Sequence, residues 1–506
     1  MISFGRGEAT DEPARDARPT ENRKLRRYWR TAAVDICKRL FLSSFVTRLE
    51  KDGVRWELDD EFSSLLEKVL GSSKRTIKES PAKLVTAHQV GEKTYFVKRY
   101  RSGASPLRSF KFFLKPSQAR KEWRLAQRLH LLQVPTVRHA ALGERWNIRG
   151  LQESILITEG FAGSGIDEGA GVPPAAVLRF LEGLNAKGVI QSDLHPGNIL
   201  VHPLTKEMRL VDLHGIRIQS AVSPAHRDAN LAFLNIFFPL PLSPQVQQLS
   251  RQLRKDYYAY RSKRCLKVNR EFARKTFGPF RWHVRIPFLN AELEKILADP
   301  DNFLEARAQM LKRGRSATVG CVAGIVVKRF NLRKLSRFPV DLFRSSRARR
   351  AYCKAYHLEL AGIATARPIA TADKRIARFL FRSYLVMEEI HGAVDLAQWR
   401  GSVRQGIQSV AELLAKLHCA GFSHRDLKET NIVFDSQANP HLLDLEGLKY
   451  IRTVPPRRAA ADLLRLDRAA REKMQHVSQS HRQAFLRAYC KARGVRPRDL
   501  FPRREK

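Results

Sequence analysis

The feature that most constrains the fold of this chain is an internal repeat, in which four short motifs of the first half recur in the same order in the second half. The matched segments are residues 95–100 with 325–330, 117–123 with 346–352, 193–198 with 426–431, and 210–215 with 442–447. Their offsets lie between 229 and 233 residues. Solenoid repeats are only roughly 20 to 50 residues long. The sequence therefore predicts a duplicated domain rather than an array of small repeats.

The layout around the repeat follows from length and local pattern. The chain has 506 residues, of which 43% are hydrophobic and 28% charged, a composition typical of a folded soluble protein that is too long for one core. We predict a basic, partly disordered lead-in with a helix at residues 23–48, followed by two domains. The predicted boundaries are 1–65 for the lead-in, 66–265 for the first domain, 266–300 for a connector and 301–500 for the second domain.

The charge balance limits the partners that the protein can attract. The chain has 92 Lys and Arg residues against 50 Asp and Glu residues, a net charge of +42. Such a field favours a polyanion, whether nucleic acid, an anionic bilayer surface or a phosphorylated substrate, although a merely solubilising basic surface stays possible. No aromatic stripe of the kind that stacks bases accompanies the basic runs, so we regard nucleic acid as an unlikely partner.

Cysteine usage and hydropathy predict the compartment. The six cysteines are far apart and form no CxxC pair, so we expect reduced thiols in the cytoplasm. Residues 1–30 are polar and do not resemble a signal peptide. The longest apolar run, residues 231–242, is interrupted by Asn235 and Pro239 and is too short to span a bilayer. We therefore expect no transmembrane segment.

The second half of the repeat carries the clearest motifs. Residues 424–431 read HRDLKETN, the HRDxxxxN pattern of a protein-kinase catalytic loop. In this pattern Asp426 orients the attacking hydroxyl and Asn431 is a ligand of magnesium. Residues 444–447 read DLEG and resemble the DFG turn, in which Asp444 connects the metal to the nucleotide phosphates.

Two further elements precede this loop in the order that a kinase presents them. Lys328 ends an apolar run, which is typical of the strand lysine that holds the ATP phosphates. Residues 383–389 form a second apolar run that ends in two acids, and we predict that this strand, with Glu388, is the hinge that binds adenine. Four elements in one order predict a kinase that transfers phosphate to an alcohol group.

The first half of the repeat carries an equivalent set. Its members are Lys98 for the phosphates, Glu122 as the helix partner of that lysine, Glu159 at the hinge, Asp193 as the catalytic aspartate, and Asn198 and Asp212 as metal ligands. A solvated helical carboxylate is the alternative interpretation of Glu122. In both halves strand-like runs precede helical stretches. The sequence thus predicts an α+β chain of two tandem bilobal protein-kinase-like domains, each with a small antiparallel-sheet lobe and a helical lobe.

Both halves depart from the full kinase pattern. Gln191 and Ser192 replace the His and Arg of HRD in the first half. In the second half Ala351 stands where the first has Glu122, which leaves Glu359 as a weak substitute partner for Lys328. Neither half has a GxGxxG loop. Residues 71–76 and 312–318, which contain basic and small side chains, are the segments that we expect to replace it.

With these residues in view, the chain resembles the lipopolysaccharide core kinases, bacterial proteins that phosphorylate heptose or Kdo sugars of the lipid A–core. The resemblance covers most of residues 70–470 in two copies, and residues 193–198 also resemble the loops of aminoglycoside phosphotransferases and atypical kinases. The segments that carry the family resemblance are residues 96–100, 327–331, 346–352, 361–368 and 424–432.

The resemblance implies ATP and Mg²⁺ as cofactors and an anionic glycolipid as the acceptor. It also implies a cytoplasmic protein, peripheral on the inner face of the inner membrane. The site residues that it implies are Lys98 and Lys328 on the phosphates, Glu122 paired with Lys98, Asp193 and Asp426 as catalytic aspartates, and Asn198, Asp212, Asn431 and Asp444 on the metal.

Two other interpretations stay open from the sequence. The protein could be a kinase for proteins or for another small molecule, although residues 450–456 lack the APE-type segment of protein kinases. Alternatively, one unit could be a pseudokinase that regulates the other, because each lacks part of the full kinase pattern.

Overall fold

The computed structural model describes residues 46–80, 82–101, 109–168, 171–331, 345–376, 379–474 and 477–501. The chain divides into two compact units, residues 1–250 and 251–506. The predicted N-terminal disorder and most of the predicted helix at 23–48 lie outside the described residues, and residues 46–48 belong to the first strand. Among the helices in the described ranges, none is both long and apolar enough to cross a membrane.

The first unit begins with a seven-stranded sheet whose neighbouring strands are all antiparallel. The strands lie in the order β1-β2-β6-β7-β5-β4-β3. Their bounds are β1 (Val46–Lys51), β2 (Val54–Asp59), β3 (Lys74–Ser80), β4 (Lys83–Val90), β5 (Lys93–Arg101), β6 (His139–Asn147) and β7 (Gly150–Glu159). Two helices accompany the sheet, α1 (Leu66–Gly71) and α2 (Gln118–Leu131).

Helix α2 covers one face of this sheet. The Ser117 side chain accepts a hydrogen bond from the Arg120 backbone N–H and caps the helix. The helix buries Trp123 against Leu142 and Leu156 of the sheet. Apolar residues at alternate positions of the strands form a second core on the other face, as expected for a sheet buried on both sides.

The rest of the first unit is mostly helical. Its small strands form two sheets, β11-β10-β8 and β12-β9. The bounds are β8 (Ser164–Gly165), α3 (Pro174–Ala186), β9 (Val189–Gln191), β10 (Ile199–Val201), β11 (Met208–Leu210), β12 (Ile216–Ile218), α4 (Pro224–Leu234) and α5 (Pro244–Ser262). The division between the two units falls within α5.

The second unit contains a seven-stranded antiparallel sheet with the strand order β13-β14-β18-β19-β17-β16-β15. Taken in chain order, these strands occupy the same seven sheet positions as the strands of the first unit. The bounds are β13 (Phe272–Phe277), β14 (Phe280–Arg285), α6 (Ala291–Ala298), α7 (Pro300–Asn302), β15 (Gln309–Arg313), β16 (Ala317–Val322), β17 (Ile325–Phe330), α8 (Arg347–Leu360), β18 (Pro368–Ile376) and β19 (Phe379–Glu388).

The remaining part of the second unit is again mostly helical. Its core packs α9, α10 and α11 around short strands that form the sheets β20-β22-β23 and β21-β24. The bounds are β20 (Val394–Asp395), α9 (Val403–Cys419), β21 (Phe422–His424), β22 (Ile432–Phe434), β23 (Pro440–Leu442), β24 (Leu448–Tyr450), α10 (Pro456–Lys473), α11 (Gln479–Arg493) and α12 (Pro497–Leu500). The fold is therefore mixed, with antiparallel sheets and many helices.

The ordered units extend beyond the domain boundaries predicted from the sequence. Strands β1 and β2 lie in the predicted lead-in, yet β2 pairs with β6 of the first sheet. Strands β13 and β14 lie in the predicted connector, yet β14 pairs with β18 of the second sheet. In chain order, each large sheet therefore starts with a hairpin whose second strand pairs with a strand more than 80 residues further along the chain.

A glycine precedes the equivalent strands β9 and β21. Gly188 has φ +73° and Gly421 has φ +91°, in the left-handed region that a side chain disfavours. A Cβ atom at Gly188 would clash with the carbonyl oxygen of Gln219, and one at Gly421 with that of Arg452. Both positions therefore require glycine, and both lead directly into the loops that carry the candidate catalytic residues.

Candidate active sites

In the first unit, Lys98 of β5 and Glu122 of α2 form a buried ion pair. Lys98 Nζ donates to Glu122 Oε1 at 2.7 Å, and their side chains are only 15% and 4% exposed. Burial alone would raise the pKa of Glu122, but the neighbouring His139 and the Lys98 cation hold that pKa at about 2. Glu122 is therefore an ionised, buried partner of the lysine and not a solvated helical carboxylate.

Lys83, which the sequence interpretation missed, lies in the same group of charges. It opens β4 directly opposite Tyr100, and its Nζ lies 5.0 Å from the centre of that ring. Burial lowers the pKa of Lys83, and so does the charge of Lys98, whereas the carboxylates of Asp212 and Glu122 act in the opposite direction. These four residues therefore lie close enough together to interact electrostatically. No kinase motif marks Lys83 in the sequence. The signal that could have pointed to it was the short hairpin between β3 and β4.

The loop that carries Asp193 is held by backbone and amide hydrogen bonds. Asn198, in a 3₁₀ turn, donates from Nδ2 to the carbonyl oxygen of Asp193 at 2.8 Å. Gln191 donates from Nε2 to the carbonyl oxygen of Asp212 at 3.4 Å. Asp212 has φ +52°, an uncommon conformation for a residue other than glycine that is often found at functional sites.

The second unit repeats this geometry with different side chains. Asn431 Nδ2 donates to the carbonyl oxygen of Asp426 at 2.7 Å, and His424 Nε2 donates to that of Asp444 at 3.1 Å. Asp444 has φ +47°. Gln191 thus supplies the same kind of donor as His424. The hydrogen bond between the loop and the turn therefore forms in the first unit although the histidine is absent there.

Lys328 contacts the turn aspartate instead of a helix carboxylate. Its Nζ lies 3.2 Å from Asp444 Oδ1, and the lysine lowers the pKa of Asp444 against the opposing effect of burial. Ala351 is buried on α8, and its methyl group cannot form an ion pair with Lys328. The suggestion that Glu359 substitutes for the missing partner is wrong, because both carboxylate oxygens of Glu359 accept from Arg285, at 2.8 and 2.9 Å.

Comparison with known proteins found one family match, which lies within the second unit. Residues 318–489 match the profile of the family described as "Lipopolysaccharide kinase (Kdo/WaaP) family". This part of the chain is therefore similar to the Kdo/WaaP-family kinases. No curated protein matches the sequence.

Solved structures with detectable similarity were also found. "WaaP in complex with acyl carrier protein" has 21% identity and a TM-score of 0.30, and the match covers 40% of this chain and 88% of that one. A crystal structure of WbdD has 15% identity and a TM-score of 0.24, covering 38% of this chain and 46% of that one. WbdD with the kinase inhibitor LY294002 has 16% identity and a TM-score of 0.23, covering 36% and 45%.

In the second unit, helix α8 contacts the Asp444 turn from two sides. Arg347 at its start donates to both carboxylate oxygens of Glu446 and, at 3.1 Å, to the carbonyl oxygen of Ser316. One turn past Ala351, Lys354 Nζ donates to the carbonyl oxygens of Leu445 and Glu446, at 2.9 and 3.1 Å. Burial lowers the pKa of Lys354 to about 8, with Arg350 contributing in the same direction. Helix α8 has no glutamate that contacts the Asp444 turn. The side chains of Arg347 and Lys354 hold that turn instead.

A buried aspartate, Asp462, supports the loop of Asp426 in the second unit. Asp462 of α10 accepts from the His424 backbone N–H at 2.8 Å and lies 3.3 Å from His418 Nε2. Arg465 donates to its other oxygen at 2.8 Å. Asp462 is 1% exposed, so these contacts compensate the burial of its charge.

The turn that replaces a glycine-rich loop lies at the predicted residues in the second unit but not in the first. In the second unit, residues 312–318 span the β15–β16 turn, as expected. In the first unit, residues 71–76 instead span the end of α1 and the start of β3, so that prediction is wrong, and the equivalent turn joins Ser80 to Lys83.

A lysine occupies the same bulged position in both sheets. Strands β3 and β15 have a bulge just before Lys78 and Lys312, respectively. Lys312 lies opposite Val319, which lies opposite Lys328, so the three share one face of the sheet. The charge of Lys312 also helps to lower the pKa of Asp444. The exposed Lys312 side chain thus adds a second cation near the turn aspartate.

The two predicted hinge acids end the long strands β7 and β19. Glu159 donates its backbone N–H to the carbonyl oxygen of Arg138 at 2.8 Å, and Glu388 donates to that of Arg367 at 2.9 Å. Their carboxylates lie 2.7 Å from Lys93 Nζ and 3.5 Å from an Arg367 nitrogen, respectively. The carboxylates and the backbone N–H groups of both residues are therefore engaged within the protein.

The donor sets fit a magnesium–nucleotide complex. In each loop the asparagine Nδ2 is committed to a backbone carbonyl, which leaves Asn198 Oδ1 and Asn431 Oδ1 as free oxygen ligands. Asp212 and Asp444 each add one carboxylate. Mg²⁺ is commonly held by one or two protein oxygens together with water and phosphate. Accordingly, the described ranges contain no group of three or more His, Cys, Asp or Glu side chains placed to hold a metal by themselves.

Proposed function

We propose that the protein is an ATP- and Mg²⁺-dependent kinase that phosphorylates a sugar hydroxyl of the lipid A–core of lipopolysaccharide. The family match over residues 318–489 supports the acceptor class. The single observation that carries the proposal is the contact of Lys328 with Asp444, 3.2 Å apart, beside the loop of Asp426 and Asn431. This arrangement supports the proposal, because phosphoryl transfer needs a phosphate-binding cation, metal ligands and a catalytic carboxylate close together.

We further propose that the chain is a tandem pair of kinase-like domains, residues 46–250 and 251–501. The identical strand order of the two large sheets supports this duplication. So does an isolated parallel bridge at equivalent positions, Thr136 with Leu210 and Thr365 with Leu442. The matching asparagine contacts to the carbonyls of Asp193 and Asp426 support it as well.

Phosphoryl transfer in the second domain relies mainly on positioning. The Asp426 side chain is 64% exposed and can accept the proton of an approaching sugar hydroxyl. Lys428 Nζ lies 3.7 Å from Asp426 and adds positive charge beside the transferred group. Asn431 and Asp444 would hold Mg²⁺, which would supply positive charge to the phosphates. Lys328, whose Nζ lies 3.2 Å from Asp444 Oδ1, would bind the phosphates beside them.

The first domain has a less complete set around its catalytic aspartate. At the position of Lys428 it has His195, whose ring lies 4.7 Å from that of Phe237. The Lys98–Glu122 pair, by contrast, is already formed. We propose that both domains bind nucleotide and that the second transfers phosphate.

We also propose that the protein works at the cytoplasmic face of the inner membrane. The acceptor is a multiply anionic glycolipid, and the net charge of +42 suits both that acceptor and the anionic leaflet around it.

The test is transfer of the labelled γ-phosphate of ATP to purified lipid A–core by the full chain. Asp426→Ala should abolish transfer and Asp193→Ala should leave most of it. Asp467→Ala, a surface aspartate paired with Arg471 on α10, serves as the control and should retain full activity. Unchanged transfer in both Asp426→Ala and Asp193→Ala would refute the site, whereas loss in Asp193→Ala alone would move catalysis to the first domain.

A further inference from the structure

Two neighbouring segments of the first unit expose four large apolar side chains. Residues 109–115 form a short turn before α2, and residues 145–150 form the tip of the β6–β7 hairpin. The exposed fractions are 60% for Phe110, 54% for Phe113, 82% for Leu114 and 96% for Ile148. Exposed apolar side chains that occur singly need no explanation, whereas a cluster of four marks an interaction surface.

The two segments form one continuous surface. The Phe113 ring lies 5.5 Å from the Phe110 ring and 5.3 Å from the Trp146 ring, measured between centroids. Gly150 packs so closely on the other segment that a Cβ atom there would clash with the carbonyl oxygen of Ser109. The hairpin tip with Ile148 is therefore held against the turn that carries the phenylalanines.

Basic side chains surround these apolar groups. Lys111, Lys115, Arg145 and Arg149 are all exposed, and residues 109–116 and 145–151 contain no Asp or Glu. The nearest acid in sequence, Glu144, is buried and accepts from Ser117 and Arg120, so it does not offset the surface charge. We call the four apolar and four basic residues the apolar–basic patch.

Aromatic and aliphatic side chains ringed by Lys and Arg are the chemistry that binds an anionic bilayer. The apolar groups enter the headgroup region, and each basic residue near the surface adds electrostatic attraction to anionic lipids. A protein partner would need acidic side chains around an apolar centre, and the charge of the patch equally opposes a second copy of the same patch. We propose that the apolar–basic patch docks the protein on an anionic phospholipid surface. This inference deepens the proposed location at the inner membrane, but it is argued from exposure and charge and does not depend on the kinase reaction.

The experiment is vesicle co-sedimentation with the full chain at moderate salt. Vesicles contain phosphatidylcholine alone or phosphatidylcholine with about 30% phosphatidylglycerol, which supplies the negative surface potential. The double variant Leu114→Asp/Ile148→Asp should bind the anionic vesicles about tenfold more weakly than the unchanged protein, because two apolar insertions become charged. The matched control is Leu204→Asp, an 85% exposed leucine elsewhere in the same unit, and it should bind normally.

A second pair of variants tests the basic residues without touching apolar side chains. Lys111→Glu/Lys115→Glu should weaken binding strongly, whereas Lys121→Glu/Arg124→Glu on the exposed side of α2 makes the same change in net charge and should have a much smaller effect. These four positions are exposed, so all variants should melt at the temperature of the unchanged protein.

Three outcomes would overturn the proposal. Leu114→Asp/Ile148→Asp and Lys111→Glu/Lys115→Glu could bind as well as their controls, or the unchanged protein could bind neutral and anionic vesicles equally. The patch could also prove to be a contact between copies of the chain, which sedimentation equilibrium would show as a dimer that Ile148→Asp dissociates.

Discussion

Asp444 Oδ1 accepts a hydrogen bond from Lys328 Nζ at 3.2 Å. Helix α8 of the same unit provides no carboxylate that pairs with this lysine. The only acid of α8, Glu359, is bound by Arg285. In the other unit, Lys98 is instead held by Glu122 at 2.7 Å. The equivalent lysines are thus bound to helix α2 in one unit and to the Asp444 turn in the other, so the two sites should differ in stability and in their response to nucleotide.

Replacing Glu122 should destabilise the first unit. The Glu122→Ala change leaves Lys98 buried without its carboxylate, and breaking a buried pair from one side costs about 3 to 5 kcal/mol. Urea unfolding followed by circular dichroism would measure the loss. Glu61→Ala is the control, because Glu61 is 79% exposed in its pair with Arg138 and such pairs contribute at most about 1 kcal/mol. Equal losses for the two variants would contradict the buried pair.

The same carboxylate should make stability depend on pH. Its pKa is about 2 in the folded protein against a usual 4.5, so ionised Glu122 contributes stability that is complete above pH 4.5 and is lost as the pH falls towards 2. The free energy of unfolding of the unchanged protein minus that of Glu122→Gln should therefore shrink steadily between pH 5 and 2. A difference that stays constant over this range would show that Glu122 does not titrate in this way.

Asp462 should matter far more to the second unit than its neighbour on the same helix. Asp462→Ala removes the acceptor of the His424 backbone N–H and of Arg465, leaving buried donors unpaired, and should cost about 3 kcal/mol. Asp467→Ala breaks partly exposed pairs with Arg471 and Arg482 and should change stability by only about 1 kcal/mol. Calorimetric melting of both variants is the measurement, and similar melting temperatures would argue against a supporting role for Asp462.

Lys312 should contribute to nucleotide binding in the second unit. With Asp212→Ala present to weaken the first site, Lys312→Ala should raise the dissociation constant for Mg²⁺–ATP roughly threefold to tenfold, because a cation near the phosphates is lost. Arg313→Ala is the matched control, since adjacent strand residues point to opposite faces. Titration calorimetry would measure both constants. If the two variants shift the constant equally, Lys312 does not face the nucleotide.

Local motifs explain why much of the site could be predicted. Asn198 is five residues from Asp193, and Asn431 is five from Asp426, so each amide-to-carbonyl contact forms within one turn of chain. The pairing of Lys98 with Glu122 could also be predicted, because the lysine lies on strand β5 and the glutamate on α2, the helix that follows. The hinge strands were found as apolar runs, but the surface partners of Glu159 and Glu388 were not foreseen.

By itself, the sequence determined the repeat, the mixed fold of sheets and helices, and the identity of both loops, because these depend on residue spacing over short stretches. Only the tertiary structure decided where each unit begins, since β2 and β14 pair with strands far along the chain. It also decided that Lys328 rests on Asp444, 116 residues away, and that Arg347 holds Glu446, 99 residues away. Contacts at such separations depend on how whole elements pack, and no local pattern of residues encodes them.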